Sequence, residues 1–101
     1  MSQAPVVVFL YNRPYQTIKT LIYLKKNSLC KFTDLIVFSD GFKKKSILDK
    51  KKVEIVRCII KNILGFKSKK IFYRKKNFGL YKNITNGLDT VFTSNDKAII
   101  L

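Results

Sequence analysis

Apolar residues follow two patterns along this chain, one typical of buried strands and the other of amphipathic helices. A continuous apolar run, as expected of a parallel strand covered on both faces, occupies Pro5 to Tyr11. Asp34 to Phe38, in which four apolar residues follow Asp34, predicts a second strand. Shorter runs at Lys70 to Tyr73 and Lys97 to Leu101 predict two further strands. The pattern therefore predicts four strands, with a longer segment between each pair.

The three intervening segments carry apolar residues at the three- and four-residue spacing of a helix. The first helix is predicted to begin at Pro14, whose missing N–H suits a first turn, and to end near Asn27. The second is predicted to end at Gly65 as a C-cap. The predicted inward positions are Ile18, Leu21 and Ile22, with Tyr15 as a further candidate; then Val53, Val56, Ile59, Ile60 and Ile63; then Leu80, Ile84, Leu88, Val91 and Phe92.

The resulting order, β-α-β-α-β-α-β, predicts an α/β fold with a Rossmann-like, doubly wound parallel sheet and helices on both faces. We predict the strand order 3-2-1-4, which places a ligand crevice beside strands 1 and 4. Residues 1–101 form one domain or a piece of one. Because the fourth strand ends at Leu101, where such folds usually continue, we expect the chain to be the amino-terminal part of a domain.

The composition excludes several classes of protein but does not identify a function. The chain has two cysteines, Cys30 and Cys58, and no histidine, so a disulfide framework and a zinc site are both poorly supported. Cys58 is expected to be a small core residue. No apolar run approaches the ~20 residues of a membrane span, and the first lacks signal-peptide flanks. We therefore expect a location in the cytoplasm or on the cytoplasmic face of a membrane.

The charge is strongly positive, with 21 Lys and Arg against 6 Asp and Glu. A net charge of +15 suggests nucleic acid or an anionic membrane as partner. All the cations except Arg13, Arg57 and Arg74 are lysines, however, whereas base reading favours arginine. A chain-wide bias towards Lys, Ile and Asn also accounts for much of this charge.

Candidate binding residues follow the predicted strands, at the carboxyl edge of the sheet. Asn12 and Arg13 follow Tyr11 at a helix start, where backbone N–H groups favour anions. Asp40 follows strand 2 and can accept hydrogen bonds from a ribose or a base. Asn83 is a poor helix former inside helix 3, which indicates a packing or ligand role. The simpler alternatives are a solvated turn at Asn12 and a plain Asp-Gly turn at Asp40.

Neither a GxGxxG turn nor a Walker A loop is present, so dinucleotide and P-loop sites are disfavoured. Instead, Tyr-Asn-Arg-Pro after strand 1, Ser-Asp-Gly after strand 2, and Asn-x-Gly-Leu before helix 3 occur in order ahead of an Ala-Ile-Ile-Leu strand. Together these motifs resemble the start of GT-A fold glycosyltransferases, in particular family 2-like and N-acetylglucosaminyltransferase I-like proteins. The resemblance covers nearly the whole chain.

This resemblance implies the nucleotide-binding part of a glycosyltransferase, with a UDP-sugar as the preferred donor. It implies that Asp40 binds the nucleoside, that Tyr11, Asn12 and Arg13 contact the nucleotide, and that Asn83 faces it. The family's acidic metal motif follows the fourth strand, so Mn²⁺ or Mg²⁺ is expected in the complete protein and none in this chain alone. The acceptor, a saccharide or a lipid-linked glycan, stays open, and the basic surface suits peripheral association with a membrane.

Two other function classes compete with this interpretation. A small basic α/β module without catalysis would bind nucleic acid through phosphate contacts, with a steep salt dependence. A receiver-like signalling domain would need an acidic cluster at the strand ends. Asp40 is the sole carboxylate directly after a predicted strand, so the receiver-like class ranks last.

Overall fold

The computed structural model describes residues 4–101, so the first three residues of the predicted domain lie outside the described part. Its parallel sheet has four strands in the order β3-β2-β1-β4. The strands are β1 (Val6–Leu10), β2 (Asp34–Ser39), β3 (Ser68–Tyr73) and β4 (Ile99–Ile100). The helices are α1 (Pro14–Lys25), α2 (Ile47–Asn62) and α3 (Leu80–Phe92), with a short 3₁₀ helix at Cys30–Phe32. The predicted α/β class and strand order are confirmed.

The core lies on both faces of the sheet because side chains alternate along β1 and β2. On one face, Val6 and Val8 pack with Leu21 of α1 and Ile60 of α2. On the other face, β1 and β2 pack against α3 through Val91. The helices therefore cover both faces, as the sequence predicts. No helix among residues 4–101 is long and apolar enough to cross a membrane.

A stack of three aromatic rings runs across neighbouring strands beneath α3. The centroids of Phe9 and Phe38 are 5.4 Å apart, and those of Phe38 and Phe72 are 4.8 Å apart. Helix α3 approaches this stack through Gly87. A Cβ added to Gly87 would lie 2.7 Å from Cε1 of Phe9 and 3.0 Å from Cδ2 of Phe38.

The predicted inward face of α3 is wrong in part. Its buried residues are Asn83, Gly87 and Val91, whereas Leu80 is 75% exposed and Phe92 is 49% exposed. The ring stack fills the space beneath the helix, so a small residue faces it and the larger apolar residues turn away.

Three smaller predictions also need correction. In α1 only Leu21 of the predicted apolar positions is buried, and Ile18 and Ile22 are exposed. Cys58 is exposed on α2 and is not a core residue. Gly65 is not the C-cap of α2, because the chain is already extended at Ile63.

The packing around Gly87 predicts that Gly87→Ala destabilises the protein despite the better helix propensity of alanine. The new methyl group would collide with Phe9 and Phe38, which are held in the ring stack. Overpacking of this kind costs about 1–3 kcal/mol, against a propensity gain of up to about 1 kcal/mol. We expect urea unfolding to show a net loss of roughly 1–2 kcal/mol in the free energy of unfolding.

Asn86→Ala is the matched control, because Asn86 is an exposed neighbour in the same helix. This variant should be neutral or slightly stabilising. Equal or greater stability of Gly87→Ala would show that the helix does not approach the rings as closely as described.

Candidate functional site

The loops that follow β1, β2 and β3 meet at the carboxyl edge of the sheet, beside β1 and β4. A cavity of about 650 Å³ lies there, within the size range of small-molecule sites. Its lining includes all five residues that the sequence singles out, namely Tyr11, Asn12, Arg13, Asp40 and Asn83. The structure therefore brings the predicted residues together, at the crevice that the strand order predicts.

Asp40 is almost completely buried and holds the loop that leads into α3. Its Oδ1 accepts hydrogen bonds from the backbone N–H groups of Gly41, at 2.8 Å, and Phe78, at 2.7 Å. Its Oδ2 accepts from the backbone N–H of Gly79 at 3.0 Å and from Nδ2 of Asn77 at 3.4 Å. The carboxylate, at the position predicted to bind a nucleoside, thus has a structural role that extends beyond an Asp-Gly turn to the loop before α3.

Two glycines make this loop arrangement possible. A Cβ on Gly41 would lie 2.6 Å from the backbone carbonyl carbon of Lys76, so only glycine allows the two loops to approach so closely. Gly79 is the N-cap of α3 and has φ of 83°, a left-handed conformation that favours glycine. Both glycines therefore help to bring the start of α3 to Asp40.

Asn83 is buried beside the cavity, at the end of the first turn of α3. Its Oδ1 accepts a hydrogen bond of 3.1 Å from Nε of Arg74, and its Nδ2 lies 3.4 Å from the carbonyl oxygen of Phe38. The Arg74 guanidinium lies between two rings, 5.0 Å from the centroid of Phe38 and 4.7 Å from that of Phe78. Burial lowers the pKa of Arg74 below its ordinary value. Asn83 consequently has a packing role whether or not it also contacts a ligand.

Arg57 of α2 binds the ends of β2 and β3 from the face of the sheet opposite to α3. Its Nη2 donates to the carbonyl oxygens of Asp40, at 3.2 Å, and Arg74, at 2.8 Å. Its Nε donates to Oγ of Ser39 at 3.0 Å. One guanidinium thereby satisfies backbone groups at the point where two strands end.

Asp49, in the first turn of α2, fixes the loop that follows β1. Its carboxylate accepts hydrogen bonds from the hydroxyl of Tyr11, from Nδ2 of Asn12 at 2.7 Å and from the backbone N–H of Lys43 at 2.7 Å. Two of the predicted nucleotide-binding side chains are thus oriented by a buried acid on another element.

Opposing effects act on the pKa of Asp49. Burial alone would raise this pKa, but the hydrogen bonds from Tyr11, Lys43 and Asn12 outweigh burial and hold it below its ordinary value. Burial, together with the hydrogen bond to the Asp49 carboxylate, raises the pKa of the Tyr11 hydroxyl well above its usual range. Asp49 is therefore ionised and Tyr11 neutral at physiological pH.

The cavity offers several groups suited to an anion. The starts of α1 and α3 both border it, and no described side chain caps either start. Their first N–H groups carry the positive end of the helix dipole. The side chains of Arg13 and Lys43 add two cations to the lining.

A divalent cation, by contrast, has no assigned ligands in the described residues. Residues 4–101 contain no group of three or more His, Cys, Asp or Glu side chains that could hold a metal ion. Asp40 and Asp49, the acids nearest the cavity, are each occupied by hydrogen bonds from protein donors. The described residues therefore do not fit the Mn²⁺ or Mg²⁺ that the resemblance to glycosyltransferases implies for the complete protein.

Sequence reasoning missed three residues that organise this site: Asp49, Arg57 and Arg74. A signal for Asp49 was present, because Ser46-x-x-Asp49 has the pattern of a helix start. In the structure, Ser46 is the N-cap of α2, and its Oγ accepts a hydrogen bond of 3.1 Å from the backbone N–H of Asp49. No local pattern marks Arg57, whose partners lie on other elements, and Arg74 is marked only by its place directly after the predicted third strand.

Comparison of the chain with protein-family models, with curated proteins and with solved structures found no match. Its function is therefore argued from the site.

The Asp49 contacts predict that Asp49→Ala lowers the free energy of unfolding by about 2–3 kcal/mol, because it leaves three partly buried donors without their acceptor. The effect should depend on pH. The pKa of Asp49 is lower in the folded protein than in the unfolded chain, where it is about 4. Its ionised carboxylate therefore stabilises the fold above about pH 4, and this stabilisation is lost as the pH falls through the folded-state pKa.

Denaturant unfolding of both proteins over a range of pH checks this prediction. The difference between them should be largest near neutral pH and should shrink below about pH 4. Glu54→Ala, which removes an exposed acid from the same helix, should change stability by less than about 0.5 kcal/mol. A pH-independent difference would contradict the role assigned to the ionised Asp49 carboxylate.

Proposed function

We propose that this chain is the nucleotide-binding part of a GT-A fold glycosyltransferase and that it binds a nucleotide-sugar, with a UDP-sugar as the preferred donor. The observation that carries the proposal is the cavity at the carboxyl edge, which is lined by all five residues implied by the resemblance. Ligands of doubly wound sheets bind at this edge, where the strand order reverses. In this sheet the reversal falls between β1 and β4.

The charges of the cavity suit the diphosphate of such a donor. Arg13 is exposed and can turn its guanidinium towards a phosphate, for which its planar donor set is well matched. The uncapped N–H groups at the starts of α1 and α3 would add neutral donors with favourable dipoles. We therefore assign the diphosphate to Arg13 and the helix starts.

The nucleoside is assigned to Tyr11, Asn12 and Asp40, with Asn83 beside them. Asp40 limits how this contact can form, because both of its oxygens already accept hydrogen bonds from protein donors. The weakest of these bonds is the 3.4 Å contact from Asn77 to Oδ2. A ribose hydroxyl would enter most easily there, displacing or sharing the amide of Asn77.

Under this proposal the described residues bind the donor and have no catalytic role. In glycosyltransferases of this kind the metal acts as a Lewis acid towards the leaving diphosphate. What the chain itself contributes under this proposal is binding and orientation of the donor. We place the protein in the cytoplasm or on the cytoplasmic face of a membrane, where nucleotide-sugars are available.

The proposal predicts that the protein binds UDP in preference to ADP and that Arg13→Ala lowers the affinity for UDP roughly tenfold. Arg13 is exposed and makes no described side-chain hydrogen bond, so its removal should not alter folding. Isothermal titration of the purified protein with each nucleotide measures both effects. The enthalpy of unfolding confirms that the variant is intact.

Lys61→Ala is the matched control, since Lys61 is an exposed cation in the last turn of α2, far from the cavity. Equal losses in the two variants would indicate binding through net charge alone. Saturable binding of RNA or DNA with a steep salt dependence, together with no preference among nucleotides, would replace the transferase proposal with the nucleic-acid module.

A further inference from the structure

The outward face of α2 carries three large aliphatic side chains, although the other face of the helix is already packed. Val53, Val56 and Ile60 of this helix are buried in the core. On the other side, Ile47 is 75% exposed, Leu48 is 62% exposed and Ile55 is 51% exposed.

These three exposed side chains form one patch. Ile55 follows Leu48 by seven residues and Ile47 by eight, which places all three on the same side of an α-helix. The patch faces away from the sheet, so these side chains do not contribute to the core of the described chain. We call Ile47, Leu48 and Ile55 the outer patch of α2.

Lysines surround the outer patch at the start of the helix. Three lysines precede α2 and three lie in its first two turns. They are Lys43, Lys44 and Lys45, then Lys50, Lys51 and Lys52, and all six are exposed. The acid between these two runs, Asp49, is buried and bonded to Tyr11 and Asn12, so it does not offset them at the surface. Glu54 is the one exposed acid between Lys43 and Ile55.

The combination of an aliphatic patch with surrounding lysines favours an anionic lipid surface over nucleic acid as the partner. Aliphatic side chains within a ring of lysines can enter the headgroup region while the ammonium groups meet anionic lipids. Nucleic acid is bound more typically through arginine and stacked aromatic rings. The segment from Lys43 to Ile55 contains neither residue type, and the nearby ring of Phe42 is half-buried with Nζ of Lys50 5.7 Å from its centroid.

We propose that the protein docks peripherally on an anionic membrane through the outer patch of α2 and the six lysines around it. The partner is identified by charge complementarity and by the aliphatic character of the patch. The proposal does not depend on nucleotide binding. The surface nevertheless adjoins the cavity, since Lys43 lines the cavity and Lys52 lies with Arg13 in a neighbouring depression.

Flotation with lipid vesicles tests this proposal on the full chain. We expect binding to vesicles of phosphatidylcholine with about one third phosphatidylglycerol, and little binding to phosphatidylcholine alone. Ile47→Ser combined with Leu48→Ser should reduce the partition coefficient by roughly tenfold or more, because both side chains leave water on docking. Replacing Lys43, Lys44 and Lys45 by glutamine should reduce it by roughly fivefold for each lysine.

Matched controls separate docking at this face from attraction by net charge. Ile22→Ser combined with Leu64→Ser removes two exposed apolar side chains elsewhere. Replacing Lys61, Lys67 and Lys70 by glutamine removes the same charge from the last turn of α2, from the loop before β3 and from β3 itself. All the changes are at exposed positions, and far-ultraviolet circular dichroism verifies folding. Near-normal vesicle binding by the controls, with loss in the α2 variants, would support the proposal.

Two results would overturn it. One is equal loss of binding in the α2 variants and their controls, or no binding to anionic vesicles at all. The other is tighter binding to RNA than to vesicles, with dependence on Lys43–Lys45 and no effect of the Ile47 and Leu48 substitutions. A protein that binds vesicles but not UDP would contradict the nucleotide proposal and leave the docking surface standing.

Discussion

The hydrogen bonds of the buried Asp40 carboxylate connect the end of β2 to the start of α3, and the geometry of the site depends on them. Backbone N–H groups of Phe78 and Gly79 point at this carboxylate and would otherwise lack an acceptor in a partly buried loop. Their bonds set where α3 begins and how its first turn borders the cavity. The middle of the sheet is held by apolar packing, whereas its carboxyl edge is held by a carboxylate and the Arg57 guanidinium.

At the same edge, residues that are proposed to bind a ligand also have structural roles. Tyr11, Asn12, Asp40 and Asn83 all line the cavity, and each also makes a hydrogen bond that fixes its own loop or helix. Arg13 differs from them, because its side chain is exposed and uncommitted. Preorganised polar groups lose little conformational entropy when a ligand arrives, so their structural bonds are compatible with recognition.

The fold could be predicted from the sequence because strand burial and helix periodicity are local signals. The run Pro5 to Tyr11 and the alternation of strands with helical segments were sufficient for the class, and the strand order 3-2-1-4 is the one common in such sheets. The inward face of α3 could not be predicted in the same way. It depends on the rings of Phe9, Phe38 and Phe72, which come from three separate strands and leave room only for Gly87. Long-range contacts of this kind leave no periodic trace in the sequence.

Helix α2 is attached to the carboxyl edge at two points, through Asp49 to the loop after β1 and through Arg57 to the ends of β2 and β3. Eight residues separate these attachments, about 12 Å along a helix axis. The helix therefore cannot pivot without moving both loops, and a flat partner resting on its outer patch would set the angle of the whole sheet. The mouth of the cavity would then point in one fixed direction relative to that plane, which would limit the reach and the approach angle of any ligand attached to the plane.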